Sequence, residues 1–579
     1  MTRSLCVLLC WLALWVAAPG LASDGHFGVT RVGDRFVVDN GGALVFSVDA
    51  RSGDIVSMRY RGSELQSPEA KHSQIASGLG RATVAARTVG DTIVVSATAG
   101  DLIQYYMARK GHDAIYLATY APSLLPIGEL RFIARLDAAK LPDAEHEPDS
   151  NVGTAIEGKD VFLLPNGRTS SKFYSARRAI DDTVHGVSGG GVAVRMWMGN
   201  REHSAGGPFF KDIATQKTAL THELYNYMFS NHTQTEPYRG GLHGVYVLQF
   251  STGSAAAQVP PDLGFVDASL GLQGLLEDAQ RGAVSGQASG VVPGQPAAIG
   301  LRNAQAQYWA RADRAGRFRI ASVRPGDYRI TLYQNELEVA HDSVRITAGA
   351  TAQADLRARP LPGQVLWQIG APDGTPAGFR NADLLATAHP SDRRMAPWGP
   401  VTYRLGRDTV GDFPAAQWRG VNTPTRIVFD LDRDQVHAYR LRLLVTLTQA
   451  GARPQLQVND HWTGPLPPRP DQPTSRGITR GTYRGNNTVY LVDIPASALH
   501  AGSNTLAIDL ASGTPDNGFL GPAIVFDSVQ LLAPSPVLEQ PGDSVEEVRN
   551  GLPPSDADRF TPIAHAAWHN AALYGGTPR

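Results

Sequence analysis

The chain has 579 residues, two cysteines, and 53 basic residues against 54 acidic ones. The balanced charge gives no support to a general nucleic-acid binder, and 42% hydrophobic with 18% charged residues excludes wholesale disorder. A chain this long needs more than one hydrophobic core, and 60 glycines with 39 prolines lean it towards turn-rich β architecture.

Residues 1–22 carry one early positive charge, Arg3, an apolar run from Leu5 to Ala18, and a small-residue stretch ending at Ala22. This layout predicts a secretory signal peptide cleaved after Ala22. The apolar run is too short to span a bilayer, and no later stretch reaches the roughly 18 residues a span requires, so no membrane association is expected. Cys6 and Cys10 both fall in this segment, leaving 557 residues without a cysteine. Thiol catalysis, disulfides, cysteine–zinc sites and iron–sulfur clusters are thereby excluded from the mature chain. The expected destination is secretion, extracellular or periplasmic.

Beyond Ala22, short alternating runs such as Phe36-Val37-Val38-Asp39, Thr92-Ile93-Val94-Val95 and Gly244-Val245-Tyr246-Val247-Leu248 recur between Gly, Asp and Asn. They predict β-sandwiches, and no long stretch has helical periodicity. Breaks at Val259-Pro260-Pro261-Asp262 and Pro360-Leu361-Pro362-Gly363 divide the chain into 23–258, 262–358 and 363–532. In the middle segment Phe318 and Ile320 share one strand face, as do Tyr328, Ile330 and Leu332. That pattern resembles fibronectin type III-like modules and predicts a spacer. The third segment resembles a jelly-roll carbohydrate-binding module, in which Trp367, Trp398, Trp418 and Trp462 could stack on sugar rings or serve as core. The tail 533–579 carries no identifying motif.

Most patterns of chemistry are quickly set aside. His565 and His569 have helical i, i+4 spacing, but Ala566 stands where a zinc protease needs Glu. Glu338 and His341 sit in a strand-like stretch that predicts opposite faces. Gly186-Val187-Ser188-Gly189-Gly190 matches a nucleophile elbow, yet no helix follows it, so a glycine-rich loop is expected. Asp430-Leu431-Asp432 and Asp181-Asp182 are too short to define a calcium site. A structural calcium ion is allowed for but not indicated, and no cofactor is expected for catalysis.

The first segment holds a dense polar and aromatic series. It comprises Gly128-Glu129-Leu130-Arg131, Ser170-Ser171-Lys172-Phe173-Tyr174, Gly206-Gly207-Pro208-Phe209-Phe210, Leu224-Tyr225-Asn226-Tyr227 and Asn231-His232-Thr233-Gln234-Thr235-Glu236, followed by Tyr238-Arg239-Gly240-Gly241. In this order the segments resemble polysaccharide lyase family 4, the rhamnogalacturonan lyases. The resemblance extends to Leu532. It implies a catalytic β-sandwich of the galactose-mutarotase type, a fibronectin-like module and a carbohydrate-binding jelly roll.

The implied reaction is β-elimination on the rhamnogalacturonan I backbone of pectin, at the bond between rhamnose and O4 of galacturonate. The resemblance assigns Lys172 as the base at C5 and His232 as the acid at the leaving oxygen. Arg131 is the candidate neutraliser of the substrate carboxylate, its planar fork matching that group. A catalytic Lys172 requires a depressed pKa, from burial or from a cation such as Arg131. Tyr225 and Tyr227 would line one wall of a groove, with Glu236, Arg239 and His243 as weaker substrate-binding candidates. All seven lysines lie at or before Lys217, within the proposed catalytic segment. The expected partner is the pectic polysaccharide alone, bound by a monomer. Two alternatives stay open: a mutarotase-like epimerase, and a non-catalytic sugar-binding protein.

Overall fold

The computed structural model describes residues 26–69, 71–122, 129–144, 152–172, 176–230, 239–253, 259–472, 477–512, 518–533 and 548–549. The expected signal peptide, the His565–His569 pair and nearly all of the tail lie outside the described residues. Among these residues the architecture is all-β, and the one α-helix is the single turn Ala382–Leu385. No helix among them is long and apolar enough to cross a membrane. The chain divides into two compact units. One comprises residues 1–287, 299–330 and 342–355, and the other comprises 288–298, 331–341 and 356–579.

The first module is a sandwich. An eight-stranded sheet runs in the spatial order Asp143–Ala144, Val184–Gly189, Val192–Trp197, Gly241–Thr252, Ala114–Ala121, Leu102–Arg109, Thr92–Ala99, Thr83–Val89. A five-stranded meander from Phe27 to Glu64 and a four-stranded sheet share its core. The four-stranded sheet is ordered Thr215–Lys217, Thr221–Phe229, Leu130–Asp137, Gln74–Ile75. Each contributes alternate residues, as strand geometry requires: Phe46, Val48 and Met58 from the meander, Ile115, Val194 and Leu248 from the large sheet, and Phe132, Leu136 and Leu224 from the small one. Phe132 is fully buried with its ring centroid 5.8 Å from Tyr246 and 6.4 Å from Tyr106.

Ser188 lies in a strand that pairs antiparallel with Val192–Trp197, and Gly190 and Gly191 close the hairpin with φ of 57° and 79°. Left-handed φ at both turn positions suits a two-residue hairpin loop, and no helix follows, so there is no nucleophile elbow.

In the middle module Phe318, Ile320, Tyr328, Ile330 and Leu332 are buried while Arg317, Arg319 and Ala321 are exposed. The strands Arg317–Val323, Gly282–Ser289 and Thr351–Gln353 form one sheet, and Gln307–Arg311, Ala297–Arg302, Gly326–Gln334 and Leu337–Ile346 the other. Glu338 and His341 do not point apart as expected, because Nδ1 of His341 lies 2.7 Å from the Glu338 carboxylate. Leu337–Ile346 is an edge strand, where two long side chains can meet beside the sheet.

Within the first unit, Glu202 is a buried carboxylate between the sandwich and the middle module. It accepts a two-point contact from Arg281 (2.7 and 3.2 Å), a 2.5 Å hydrogen bond from the Tyr308 hydroxyl, and a 3.4 Å contact from Arg324. Burial alone would raise its pKa, but hydrogen bonds from His203 and Arg281 and the Arg281 charge hold it well below the carboxylate range.

The third module closes two sheets on one core. Val365–Gly370, Ala523–Leu532, Tyr439–Gln449 and Thr488–Ile494 face Thr402–Arg404, Thr425–Leu431, Gly502–Ala511 and Arg453–Val458. Trp418 is fully buried and Trp367 nearly so, which makes both core residues rather than sugar platforms. Trp398 and Trp462 are half-buried, and the Trp398 indole stands edge-on to Trp418 at 4.9 Å.

Acid should weaken the sandwich through His243. Burial, aided by neighbouring His203 and Arg201, pushes this imidazole from 6.5 down to about 3. The unfolded chain therefore binds the extra proton between those values. This contribution to stability is fully present above pH 6.5 and is lost as pH falls towards about 3. The His243→Gln variant should show a shallower loss of Tm across that window than the parent, measured by thermal unfolding at stepped pH.

Candidate active site

The site begins with two neighbouring antiparallel strands. In Leu130–Asp137, residues Leu130, Phe132, Ala134 and Leu136 enter the core, which turns Arg131, Ile133 and Arg135 to the opposite face. In Thr221–Phe229, Leu224 and Met228 enter the same core. The register sets Arg131 opposite Tyr227, Ile133 opposite Tyr225 and Arg135 opposite Glu223. Cross-strand neighbours on one face sit within side-chain reach, and here they pair. Arg131 donates to the Tyr227 hydroxyl at 2.8 Å, and Arg135 Nε donates to Glu223 at 2.7 Å.

The two tyrosines stack, with ring centroids 5.5 Å apart and planes at 21°. The Arg131 guanidinium carbon lies 5.3 Å from the Tyr227 centroid and 6.0 Å from that of Tyr225, within cation–π range. Arg131 also forms an ion pair with Glu129 and keeps 21% of its side chain exposed. Burial works against its charge, but the Tyr227, Tyr225 and Asp212 oxygens outweigh it and raise the pKa. Arg131 is therefore a fixed cation.

Tyr225 donates to the Glu223 carboxylate and to Gln216 at 3.3 Å. Burial drives both phenols well above their ordinary pKa, reinforced by Glu223 at Tyr225 and by Asp212 at Tyr227. Neither resting phenol is a base at neutral pH. Behind them, Arg201 donates to the Tyr227 carbonyl at 3.2 Å, and Ser230 donates to Asp212. Neither Arg201 nor Asp212 stands out as a functional residue in the sequence alone. Asp212 ends the Gly-Gly-Pro-Phe-Phe-Lys-Asp string, whereas nothing local marks Arg201.

Lys172 follows the strand Thr169–Ser171 of a separate three-stranded sheet. Its ammonium lies 3.1 Å from Asp160, its side chain is 12% exposed, and its backbone N–H donates to the Asp160 carbonyl at 3.1 Å. The expected approach of Arg131 to Lys172 is not among the described contacts. His232 and Glu236 lie outside the described residues. Arg239 is buried and donates to the carbonyls of Ser204 (2.9 Å) and Asn303 (3.1 Å). Its guanidinium thus holds the sandwich to the middle module rather than standing on an open surface. His243 is also buried. No group of three or more metal-binding side chains occurs among the described residues.

Residues 27–274 match the family described as "Rhamnogalacturonan lyase B, N-terminal", 280–354 match "Polysaccharide lyase family 4, domain II" and 365–531 match "Polysaccharide lyase family 4, domain III". Three β modules in this order, carrying a fixed cation beside stacked aromatics, define the class as a modular polysaccharide lyase. A protein of Aspergillus fumigatus named "Probable rhamnogalacturonate lyase A" is 44% identical over 74% of this chain and 81% of its own. The "Rhamnogalacturonate lyase A" proteins of Emericella nidulans and Aspergillus aculeatus are each 42% identical over the same shares. The chain belongs to polysaccharide lyase family 4, the rhamnogalacturonan lyases.

The Tyr227→Phe variant should keep the ring stack and lose the bond to Arg131. Removing a hydrogen bond to a charged group should cost about 1.5–3 kcal/mol of stability, read by urea unfolding. An unchanged midpoint would mean that the bond contributes nothing net.

Proposed function

We propose that this chain cleaves the rhamnogalacturonan I backbone by β-elimination, at the bond from rhamnose to O4 of galacturonate. The observation that carries this reading is Arg131, a fixed and partly exposed cation beside stacked Tyr225 and Tyr227 in a family 4 sandwich. Removing the C5 proton, which is α to the carboxylate, develops enolate-like charge on that carboxylate. A preorganised guanidinium stabilises that charge more than it stabilises the ground state.

Lys172, once its ammonium has given up a proton and stands as the neutral amine, takes the C5 proton, the freed electron pair forms the C4–C5 double bond, and the C4–O4 bond breaks. His232 supplies a proton to the departing oxygen, leaving an unsaturated galacturonate at the new non-reducing end. Tyr225 and Tyr227, at 5% and 2% exposure, are too buried to be the groove wall expected of them and instead hold the Arg131 guanidinium in place, while Glu236 contributes to substrate binding. Arg131 does the neutralising that a metal ion would otherwise supply, so catalysis needs no cofactor. The protein acts as a secreted monomer, exported by its first 22 residues.

Purified protein incubated with rhamnogalacturonan I should generate ultraviolet absorbance from unsaturated uronate. Folded protein that produces none across a range of pH would sink the reading and leave the epimerase or sugar-binding alternatives. The Lys172→Ala and His232→Ala variants should each lose about 10²–10⁴-fold in turnover, the usual range for a proton-transfer group, while keeping the parent Tm. Near-normal turnover in either would remove that residue from the mechanism. A chelator should leave the rate unchanged, whereas inhibition reversed by calcium would overturn the metal-free scheme.

A further inference from the structure

A concavity of about 280 Å³ lies in the first compact unit, between the sandwich and the middle module. Its lining includes two arginines, Arg201 and Arg319, and no carboxylate. Trp309 and Tyr308 belong to the edge strand Gln307–Arg311 and line it together with Asn200.

Each of these groups is suited to a ligand. Tyr308 is held rigidly by its 2.5 Å hydrogen bond to Glu202. Trp309 is half-buried, which leaves part of its indole uncovered. Arg319 projects from the exposed face of its strand, alternating with buried Phe318 and Ile320, and pairs with no carboxylate among the described residues. Arg201 donates one terminal nitrogen to the Tyr227 carbonyl, but its buried Nε has no hydrogen-bond partner among the described residues. A buried guanidinium N–H without an acceptor is costly, and an anion in the concavity would relieve that cost. Burial pushes this guanidinium down to about 10, with Asp212 opposing the shift, so it remains cationic at neutral pH.

Two arginines beside aromatic side chains, in a lining that holds no carboxylate, suit one ligand chemistry in particular. A uronic acid residue offers a carboxylate to arginine and a C–H face to an aromatic ring. Inorganic anions would leave the aromatics unused, and neutral sugars would leave the arginines unpaired. We propose that this concavity is an accessory subsite for a uronate residue of an acidic glycan, with Arg201 and Arg319 receiving the carboxylate and Trp309 the ring. This rests on the lyase reading for the identity of the glycan. Arg201 also donates to the backbone of Tyr227, whose hydroxyl accepts from Arg131, so a chain seated here is anchored on the strand that supports the candidate site. Such anchoring raises the local concentration of long substrates without altering the chemical step.

The test uses the full-length protein with Arg319→Ala and Trp309→Ala, neither of which belongs to the proposed catalytic set. Calorimetric titration of the Lys172→Ala protein with a rhamnogalacturonan I oligosaccharide avoids cleavage during the measurement. Adding either substitution should weaken binding about tenfold, and Arg319→Lys should recover part of the loss. In the active chain, KM on the polymer should rise by a similar factor with kcat unchanged. Unaltered isotherms and KM in both variants would overturn the subsite. Equally tight binding of inorganic phosphate or of galactose would overturn the uronate assignment. If the parent forms no unsaturated product, the lyase reading fails on that result alone, and loss of binding in Arg319→Ala would still support an acidic-sugar site.

Discussion

The candidate site depends on one constraint, the antiparallel register between Leu130–Asp137 and Thr221–Phe229. Core burial of Phe132 and Leu136 on one strand, and Leu224 and Met228 on the other, fixes which face each strand turns inward. The alternation of side chains then leaves Arg131, Tyr225 and Tyr227 no choice but the opposite face. A one-residue slip would turn the arginine into the apolar core and take Phe132 and Leu136 out of it, so hydrophobic burial itself holds the guanidinium beside the phenols. The apolar energy of the core thereby orders a polar site.

Charged groups have the complementary task of fixing geometry over long sequence separations. In the first unit Glu202 gathers Arg281, Tyr308 and Arg324, and Arg239 reaches two backbone carbonyls. In the second unit Glu336 receives a two-point contact from Arg484, at 2.7 Å for each bond, and a 2.9 Å bond from Tyr483. Such buried pairs add little net stability, because desolvation offsets their attraction. Removing one partner leaves an uncompensated buried charge. Their effect is therefore to penalise wrong arrangements. Arg239 illustrates how an arginine in a motif-rich stretch can reach backbone carbonyls of two modules.

Much of the fold was readable from alternation alone. Phe318 with Ile320, and Tyr328 with Ile330 and Leu332, are buried as their period-two spacing required. The same rule placed Tyr225 and Tyr227 on one side of a strand. It failed for Glu338 and His341, since flexible side chains on an edge strand can meet despite opposite pleats. The tryptophans of the third module show a further limit. Trp418 and Trp398 are equally aromatic in sequence, yet only the packing makes Trp418 core and leaves Trp398 partly open.

The sequence by itself determined the all-β class, the absence of cysteine beyond residue 22 and the family resemblance, because composition, period and motif order are local properties of the chain. Only the tertiary structure decided that Arg131 meets Tyr227, that Lys172 meets Asp160, and that Arg201 both lines a concavity and donates to the tyrosine strand. These contacts join residues from different strands or different modules. Their proximity follows from register and from which faces the cores consume, and neither quantity is written at any single position.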